Sequence, residues 1–365
     1  MNRIPFLLLS FGIIALYGCT SGIPAETEKT AQEIEKMSQK YDEIKTLPDG
    51  TKYIIHPDEI LSGGPPKDGI PSLDTPKFQP ASEADKWLND EDLVLGLDYK
   101  GVVKAYPHRI LNWHEIVNDK VNGEKILITY CPLCRTGIAF KPIVNGQEAE
   151  FGTSGKLYNS ELVMYDRLTD SYWPQTLGKA VVGPATGQIL EKIPLDTAMW
   201  KDWKKVHLET EVLRKETGFI RDYDNNPYAS IQNSDAIGFD LGDFDDFRLR
   251  PKVIVYGVEF NGTAKAYAEE DVKNEKSIND EVNGIPIVVV WHNNLNTVNI
   301  FKRALNGETL NFELKNNKIV DNKGNEWAIE DMKEKLEIVD TFGHFWFAWA
   351  AFFPETKVYK ELKLI

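Results

Sequence analysis

Apolar and polar positions divide the chain into three regions of different character. An apolar run covers residues 4–17, and residues 20–47 are polar and rich in charge. From residue 92 onward, runs rich in Val, Ile, Tyr and Phe are separated by pairs such as Asn122-Gly123, which are typical of tight hairpin turns. This pattern predicts a mainly β protein of the α+β class with short helices.

The β-type pattern occurs twice. GLDYKGVVKAYP, from Gly96, matches GVEFNGTAKAYA, from Gly257, at an offset of 161 residues. Two more stretches keep this offset. In one of them, TGIAFKPIVNGQEAEF matches TVNIFKRALNGETLNF. So long a register predicts two tandem homologous halves related by a pseudo-twofold axis. We call residues 92–214 the first half and residues 253–360 the second half.

The segments outside the halves have their own composition. Residues 19–50 are predicted to form a tether. Residues 51–91 contain many Gly and Pro turns and are predicted to form an extended arm. Residues 215–252 are rich in Asp, Asn and Gly and are predicted to be a linker between the halves.

Residues 1–18 are predicted to be a signal peptide, because their apolar run is too short for a stable transmembrane helix. The run ends in Leu-Tyr-Gly-Cys19, which resembles a bacterial lipoprotein signal. We therefore expect an exported protein that is held in the outer membrane or periplasm by a lipid on Cys19. An ordinary secretory signal and an uncleaved anchor are the alternatives.

Composition narrows the range of partners. Hydrophobic residues make up 42% of the chain, enough for a globular core. The net charge of -14 argues against nucleic acid as a partner, and no protein partner is indicated. Three cysteines are too few for a disulfide scaffold, and two remain if Cys19 carries lipid.

Comparison of the halves separates structural from candidate functional residues, since a residue present in only one half needs a reason beyond the fold. Cys131 and Cys134 stand where the second half has His292 and Leu295. We predict that function lies in the first half. The side chains predicted to line a polar pocket beside the cysteines are Arg109, Trp113, Glu115, Arg135, Tyr158, Asn159, Met164, Tyr165, Asp166 and Arg167.

The Cys-Pro-Leu-Cys motif follows a predicted buried strand and suits three chemistries. The leading hypothesis is a soft-metal site, for copper or zinc, with His114 as the first candidate for a further ligand. A thiol/disulfide redox pair is the second. A structural disulfide in a non-catalytic ligand-binding or scaffold module is the third. The pattern does not distinguish an enzyme from a binding protein.

Five motifs together resemble a known family. They are GGPPKDGIPSLDTPKF from Gly63, AYPHRILNWHEIVND from Ala105, TYCPLCRTG from Thr129, SGKLYNSELVMYDR from Ser154 and WFAWAAFFPET from Trp346. The chain resembles the uncharacterised prokaryotic family catalogued as domain of unknown function 3179, over about residues 55–359. The resemblance implies an exported or envelope-anchored protein and supplies no activity.

Overall fold

A computed structural model describes residues 41–237, 246–316, 318–339 and 342–360. The predicted signal peptide, Cys19 and most of the tether lie outside the described residues. The described chain is mainly β with short helices, which confirms that prediction. None of its helices combines the length and apolarity needed to cross a membrane.

The end of the tether and the arm lie along the first half. Their elements are β1 (Lys45–Thr46), β2 (Lys52–Tyr53), a 3-10 turn (Pro57–Glu59), β3 (Leu61–Ser62), β4 (Phe78–Pro80) and α1 (Ala81–Ala84). Strands β1 and β2 pair with each other, whereas β3 and β4 each extend a sheet of the first half. The arm is therefore part of the folded unit.

The first half consists of antiparallel hairpins and two short helices. Its strands are β5 (Leu93–Tyr99), β6 (Val102–Pro107), β7 (Ile116–Val121), β8 (Glu124–Cys131), β9 (Thr136–Lys141), β10 (Ile143–Val144), β11 (Gln147–Glu148), β12 (Phe151–Tyr158), β13 (Glu161–Asp166), β14 (Tyr172–Pro174), β15 (Glu191–Ile193), β16 (Asp196–Met199) and β17 (Glu211–Leu213). Its helices are α2 (His108–His114) and α3 (Trp200–Val206). The larger sheets have the orders β15-β9-β8-β7, β16-β5-β6-β17-β4 and β14-β13-β12-β3.

The linker contains α4 (Ala229–Gln232), and the second half follows it. The strands of the second half are β18 (Ile254–Phe260), β19 (Thr263–Ala268), β20 (Ser277–Val282), β21 (Ile285–His292), β22 (Thr297–Lys302), β23 (Ala304–Leu305), β24 (Glu308–Thr309), β25 (Phe312–Lys315), β26 (Lys318–Asp321), β27 (Glu326–Trp327), β28 (Ile338–Val339), β29 (Gly343–Phe345) and β30 (Lys357–Val358). Its helices are α5 (Glu269–Glu275), α6 (Ile329–Lys335) and α7 (Trp346–Phe352). The larger sheets have the orders β20-β21-β22-β28, β29-β18-β19-β30 and β25-β26-β27.

Each of these second-half sheets has the strand order of one first-half sheet, without the strands that the arm adds. Side-chain contacts follow the same pattern. Asn118 accepts from the Phe151 amide at 2.9 Å and donates to the carbonyl oxygen of Phe151 at 2.9 Å. Asn279 makes the same two bonds with Phe312, at 2.8 and 2.6 Å. These paired amides hold a strand beside the sheet in each half.

The halves share their cores. Leu295, from the turn after β21, is 1% exposed and packs in one cluster with Trp200 and Trp203 of the first half. In the opposite direction, Cys134 packs in one cluster with Phe345 of the second half, whose amide donates to the Cys134 carbonyl oxygen at 3.0 Å. The turn of each half is thus buried against an aromatic cluster that includes residues of the other half.

Candidate functional site

The two cysteines lie in the turn between β8 and β9. Cys131 ends β8, and the Cys134 amide donates to the Cys131 carbonyl oxygen at 3.2 Å, which tightens the turn. Arg135 closes it with a φ of 58°. Both cysteines are free thiols, are at most 1% exposed and have their sulfur atoms 3.1 Å apart. The turn therefore holds two sulfurs in contact, away from solvent.

The surroundings of the sulfurs are mostly apolar. Met164 and Trp173 belong to the same buried cluster. The Cys134 Sγ donates to the Ser160 carbonyl oxygen at 3.5 Å. Burial raises the pKa of Cys134 well above its ordinary value, and the adjacent Cys131 and Glu161 raise it further. The folded site thus favours the thiol over the thiolate unless a positive charge compensates.

A positive charge near the sulfurs comes from the last residue of the linker, which packs against two aromatic rings of the second half. The Nζ atom of Lys252 lies 4.6 Å from the ring centroid of Phe345 and 4.8 Å from that of Phe347. This Nζ is buried and has no hydrogen-bond partner among the described residues. Burial lowers the pKa of Lys252, while attraction by Cys134 and Cys131 acts in the opposite direction. The sulfurs and the ammonium therefore affect each other's charge.

Two carboxyl groups are buried near the cysteines. Glu161, at the start of β13, accepts from the Thr176 amide at 3.1 Å and from the Thr176 hydroxyl. Glu115, directly after α2, accepts from the Tyr228 hydroxyl at 3.0 Å. Burial raises the pKa of Glu161 and of Glu115 to about 7 in each case, and the hydrogen bonds only partly offset it. Both acids are therefore partly protonated at neutral pH.

The linker covers this site. Tyr228, Ile231 and Ile237 pack against the cluster that contains the cysteines. Gln232 donates to the Pro132 carbonyl oxygen, between the two cysteines, at 2.9 Å. The composition of the linker predicts only a connection between the halves. In the structure the linker also covers the cysteine turn.

His114 has both ring nitrogens engaged away from the cysteines. Its Nδ1 lies 2.8 Å from the Pro71 carbonyl oxygen, which can only accept, so Nδ1 carries the proton. Its Nε2 therefore accepts from the Tyr223 hydroxyl at 2.7 Å. Burial lowers the pKa of His114 to about 4. The structure thus places the predicted ligand between the arm and the linker.

Most of the predicted pocket residues serve other contacts. Two of them contact the linker: Arg109 pairs with Asp224 as well as with Asp92, and Trp113 donates to the Asn225 carbonyl oxygen. Two contact the second half: Tyr158 packs on Phe352, and Asn159 donates to the Ala351 carbonyl oxygen. Of the other three, Tyr165 donates to Asp68, Asp166 accepts from Trp173, and Arg167 pairs with Asp74. Met164 shares the buried cluster of the cysteines, Arg135 is part of their turn, and Glu115 approaches them through Tyr228. The structure does not bring the set into one pocket.

The two cysteine sulfurs are the candidate donors for a metal ion that the structure holds in contact. Within the described residues, no group of three or more His, Cys, Asp and Glu side chains could hold a metal. Two thiolates on a tetrahedral zinc, each at about 2.3 Å, lie about 3.8 Å apart, farther than the 3.1 Å between Cys131 and Cys134. The copper or zinc site therefore stays a prediction.

Sequence comparison of the halves misses several side chains at this site. Glu161 lies in the stretch 152–164, which has no full counterpart in the second half, and this difference could have identified it. Lys252, Tyr228 and Gln232 carry no such signal, because they come from the linker or its border. They reach the cysteines only through the tertiary fold.

The fold and the site define a mainly β protein with a buried cysteine pair in the turn of one hairpin. A family model described as "Protein of unknown function (DUF3179)" matches residues 67–356, and the chain belongs to that family. This confirms the resemblance found in the sequence motifs. No curated protein and no solved structure matches the chain.

Proposed function

We propose that Cys131 and Cys134 form a thiol/disulfide redox pair. The observation that carries the proposal is the 3.1 Å between their sulfur atoms, because a disulfide bond of about 2.05 Å needs only a small further approach. The second half has His292 and Leu295 at these positions, so its fold does not depend on such a pair. A role beyond folding is the simplest reason for two thiols in the first half.

The reaction is an exchange with an incoming disulfide. The thiolate of one cysteine attacks a sulfur of the incoming disulfide, whose S–S bond breaks and releases one thiolate. The sulfur of the other cysteine then attacks the mixed disulfide, forms the bond between Cys131 and Cys134 and releases the second thiolate. The two released thiolates take up the two protons that the cysteines lose. The reverse sequence reduces the pair.

The exchange needs access to buried sulfurs. Tyr228, Ile231 and Gln232 lie over the turn, and their removal from it would expose the cysteines from the linker side. This cover makes few polar contacts with the turn itself. We therefore expect oxidation to occur through a transiently opened form.

Redox equilibration tests the proposal. The full chain is equilibrated with dithiothreitol or glutathione couples, and its free thiols are counted by alkylation and mass spectrometry. Wild type should interconvert between a dithiol and a disulfide form at a potential above about -300 mV, whereas Cys131→Ser and Cys134→Ser should form no intramolecular disulfide. A potential below about -300 mV would indicate a static structural bridge, as in a scaffold or ligand-binding module.

The soft-metal site remains an alternative proposal for the same sulfurs. The observation in its favour is Met164, a residue of the same buried cluster, whose thioether would be a third soft donor. Native mass spectrometry after reconstitution with copper or zinc distinguishes the two proposals. Retention of one metal ion that is lost in Cys134→Ser would favour the metal site over the redox pair.

We also propose that the halves arose by tandem duplication of one β unit. The constant offset between Gly96 and Gly257, the matching sheet orders and the matching bonds of Asn118 and Asn279 support this. In this view the second copy has kept the fold without the cysteines. Alanine substitutions at the equivalent glycines Gly96 and Gly257 provide a test.

For the location we propose an exported lipoprotein that is attached to the membrane through a lipid on Cys19. The apolar run and the Leu-Tyr-Gly-Cys19 sequence support this, and the net charge of -14 argues against nucleic acid as a further partner. Cys19→Ser should abolish the incorporation of labelled fatty acid and release the protein from the membrane fraction. Unchanged labelling in this variant would contradict the proposal.

A further inference from the structure

Lys252 is an unusual lysine, because its ammonium group is buried without a hydrogen-bond partner among the described residues. Lysines are almost never buried unless they are paired. The ring faces of Phe345 and Phe347, at 4.6 and 4.8 Å, supply part of the compensation. The remaining neighbours that act on its charge are Cys134, Cys131 and Asp235. Such a position suggests that the Lys252 ammonium acts on the charge of the two sulfurs.

We propose that Lys252, the last residue of the linker, is the counter-charge for the thiolate form of the cysteine pair. The inference rests on the proposed redox function and names a residue that tunes it. A thiolate buried among apolar side chains is costly, and a nearby ammonium lowers that cost through Coulomb attraction in a medium of low dielectric constant. Lys252 thus makes the first step of the exchange possible inside a buried turn.

The position of Lys252 depends on the docking of the two halves. The amide of Phe345 donates to the Cys134 carbonyl oxygen at 3.0 Å, and the Phe345 ring also faces the Lys252 ammonium. The same residue therefore fixes both the cysteine turn and the lysine. This gives the second half a part in the reaction although it has no cysteine of its own.

Other charges around the pair oppose or moderate this effect. Glu161 faces Cys134 from β13 and disfavours its thiolate, while Asp235 of the linker attracts Lys252. In the disulfide form the sulfurs carry no charge, so Lys252 loses its partner. It follows that Lys252 stabilises the reduced pair relative to the oxidised pair.

The test compares Lys252→Met with Lys252→Arg in the full chain. Met keeps an apolar side chain of similar length but removes the charge, whereas Arg retains the charge. In reduced protein without oxygen, the ultraviolet absorbance of the thiolate is followed against pH. We expect Met to move the midpoint upward by about one pH unit or more, which is a tenfold loss of thiolate, and Arg to stay nearer wild type.

A second readout is the equilibrium with the glutathione couple at a pH above the thiolate midpoints of both proteins, where Lys252→Met should favour the disulfide by about tenfold or more. Lys273→Met is the matched control, because Lys273 lies 5.8 Å from the Trp291 ring and is exposed. It should titrate as wild type. If Lys252→Met does not fold, Lys252→Gln takes its place.

Two results would overturn the inference: an unchanged midpoint in Lys252→Met, or equal shifts in the Met and Arg variants, which would show that packing rather than charge is responsible. A wild-type pair that never forms a disulfide in the glutathione equilibrium would instead overturn the proposed redox function. The two failures are thus distinguishable.

Discussion

At the scale of single residues, Glu161 links the site to the pH dependence of stability. Its pKa in the folded protein is about 7, above the ordinary value of 4.5. Between these values the folded form holds a proton that the unfolded form has lost. The protonated Glu161 therefore makes its full contribution to the unfolding free energy below about pH 4.5, and this contribution is lost as the pH rises through about 7.

We predict that Glu161→Gln, which resembles the protonated acid, changes this dependence. The unfolding free energy of the variant minus that of wild type should rise by about 2.5 kcal/mol from pH 5 to pH 8. Urea unfolding at the two pH values measures the difference. Glu191→Gln, at an exposed carboxyl group, is the control and should show no such change. Equal behaviour of both variants would contradict the prediction.

The cysteine pair and His114 illustrate how far single residues could be predicted. Cys131 and Cys134 could be identified because the repeat shows that the fold does not require them. The hydrogen bonds of His114 could not, because its partners Pro71 and Tyr223 come from the arm and the linker, far away along the chain. Lys252 was missed for the same reason.

At the scale of elements, two glycines give a paired test of the duplication. A Cβ on Gly96 would lie 2.2 Å from the ring of Trp203, and a Cβ on Gly257 would lie 2.3 Å from the ring of Trp349. Both strands therefore need glycine so that a tryptophan ring can pack against their backbone.

We predict that Gly96→Ala and Gly257→Ala each lower the unfolding free energy by about 1–3 kcal/mol, because the indole ring must shift within a packed core. Urea unfolding measures both. Similar costs are expected at the two positions if the halves are equivalent. A clear cost at one glycine and none at the other would argue against their equivalence.

The cover of the cysteine turn permits a second prediction at this scale. Gln232→Ala removes the bond to the Pro132 carbonyl oxygen, which at about 1 kcal/mol should raise the open fraction about fivefold. The reaction of the reduced pair with a small aromatic disulfide should accelerate by the same factor. Gln188→Ala, which removes an exposed contact with Asn145, is the control and should not change the rate.

Strands and hairpins were the most predictable elements, since six of the two-residue turns are marked by Lys-Gly or Asn-Gly. The turn between β12 and β13, Asn159-Ser160, lacks this mark. The cover was not predictable. Tyr228 and Ile231 stand in a polar segment without strand or helix periodicity, and only their contact with the first half gives them a buried side. Composition marks such a segment as a linker, whereas its few apolar residues determine where it lies.

At the scale of the whole molecule, the repeat predicted two halves but not how they combine. The equivalent turn positions are Cys134 and Leu295, and each is buried in an aromatic cluster with residues of the other half. The match between the halves shows that the two positions are equivalent. It does not show that the buried surface belongs to the other half.

The shared cores predict that the two halves unfold together. Leu295→Ala should lower the unfolding free energy by about 2–5 kcal/mol, because it leaves a cavity beside Trp203 of the first half. Unfolding in urea is followed by tryptophan fluorescence and by alkylation of Cys131 and Cys134, which report on the first half. Both midpoints should fall together, since loss of one turn weakens both cores. An unchanged midpoint for alkylation would mean that the halves unfold independently and would contradict the prediction.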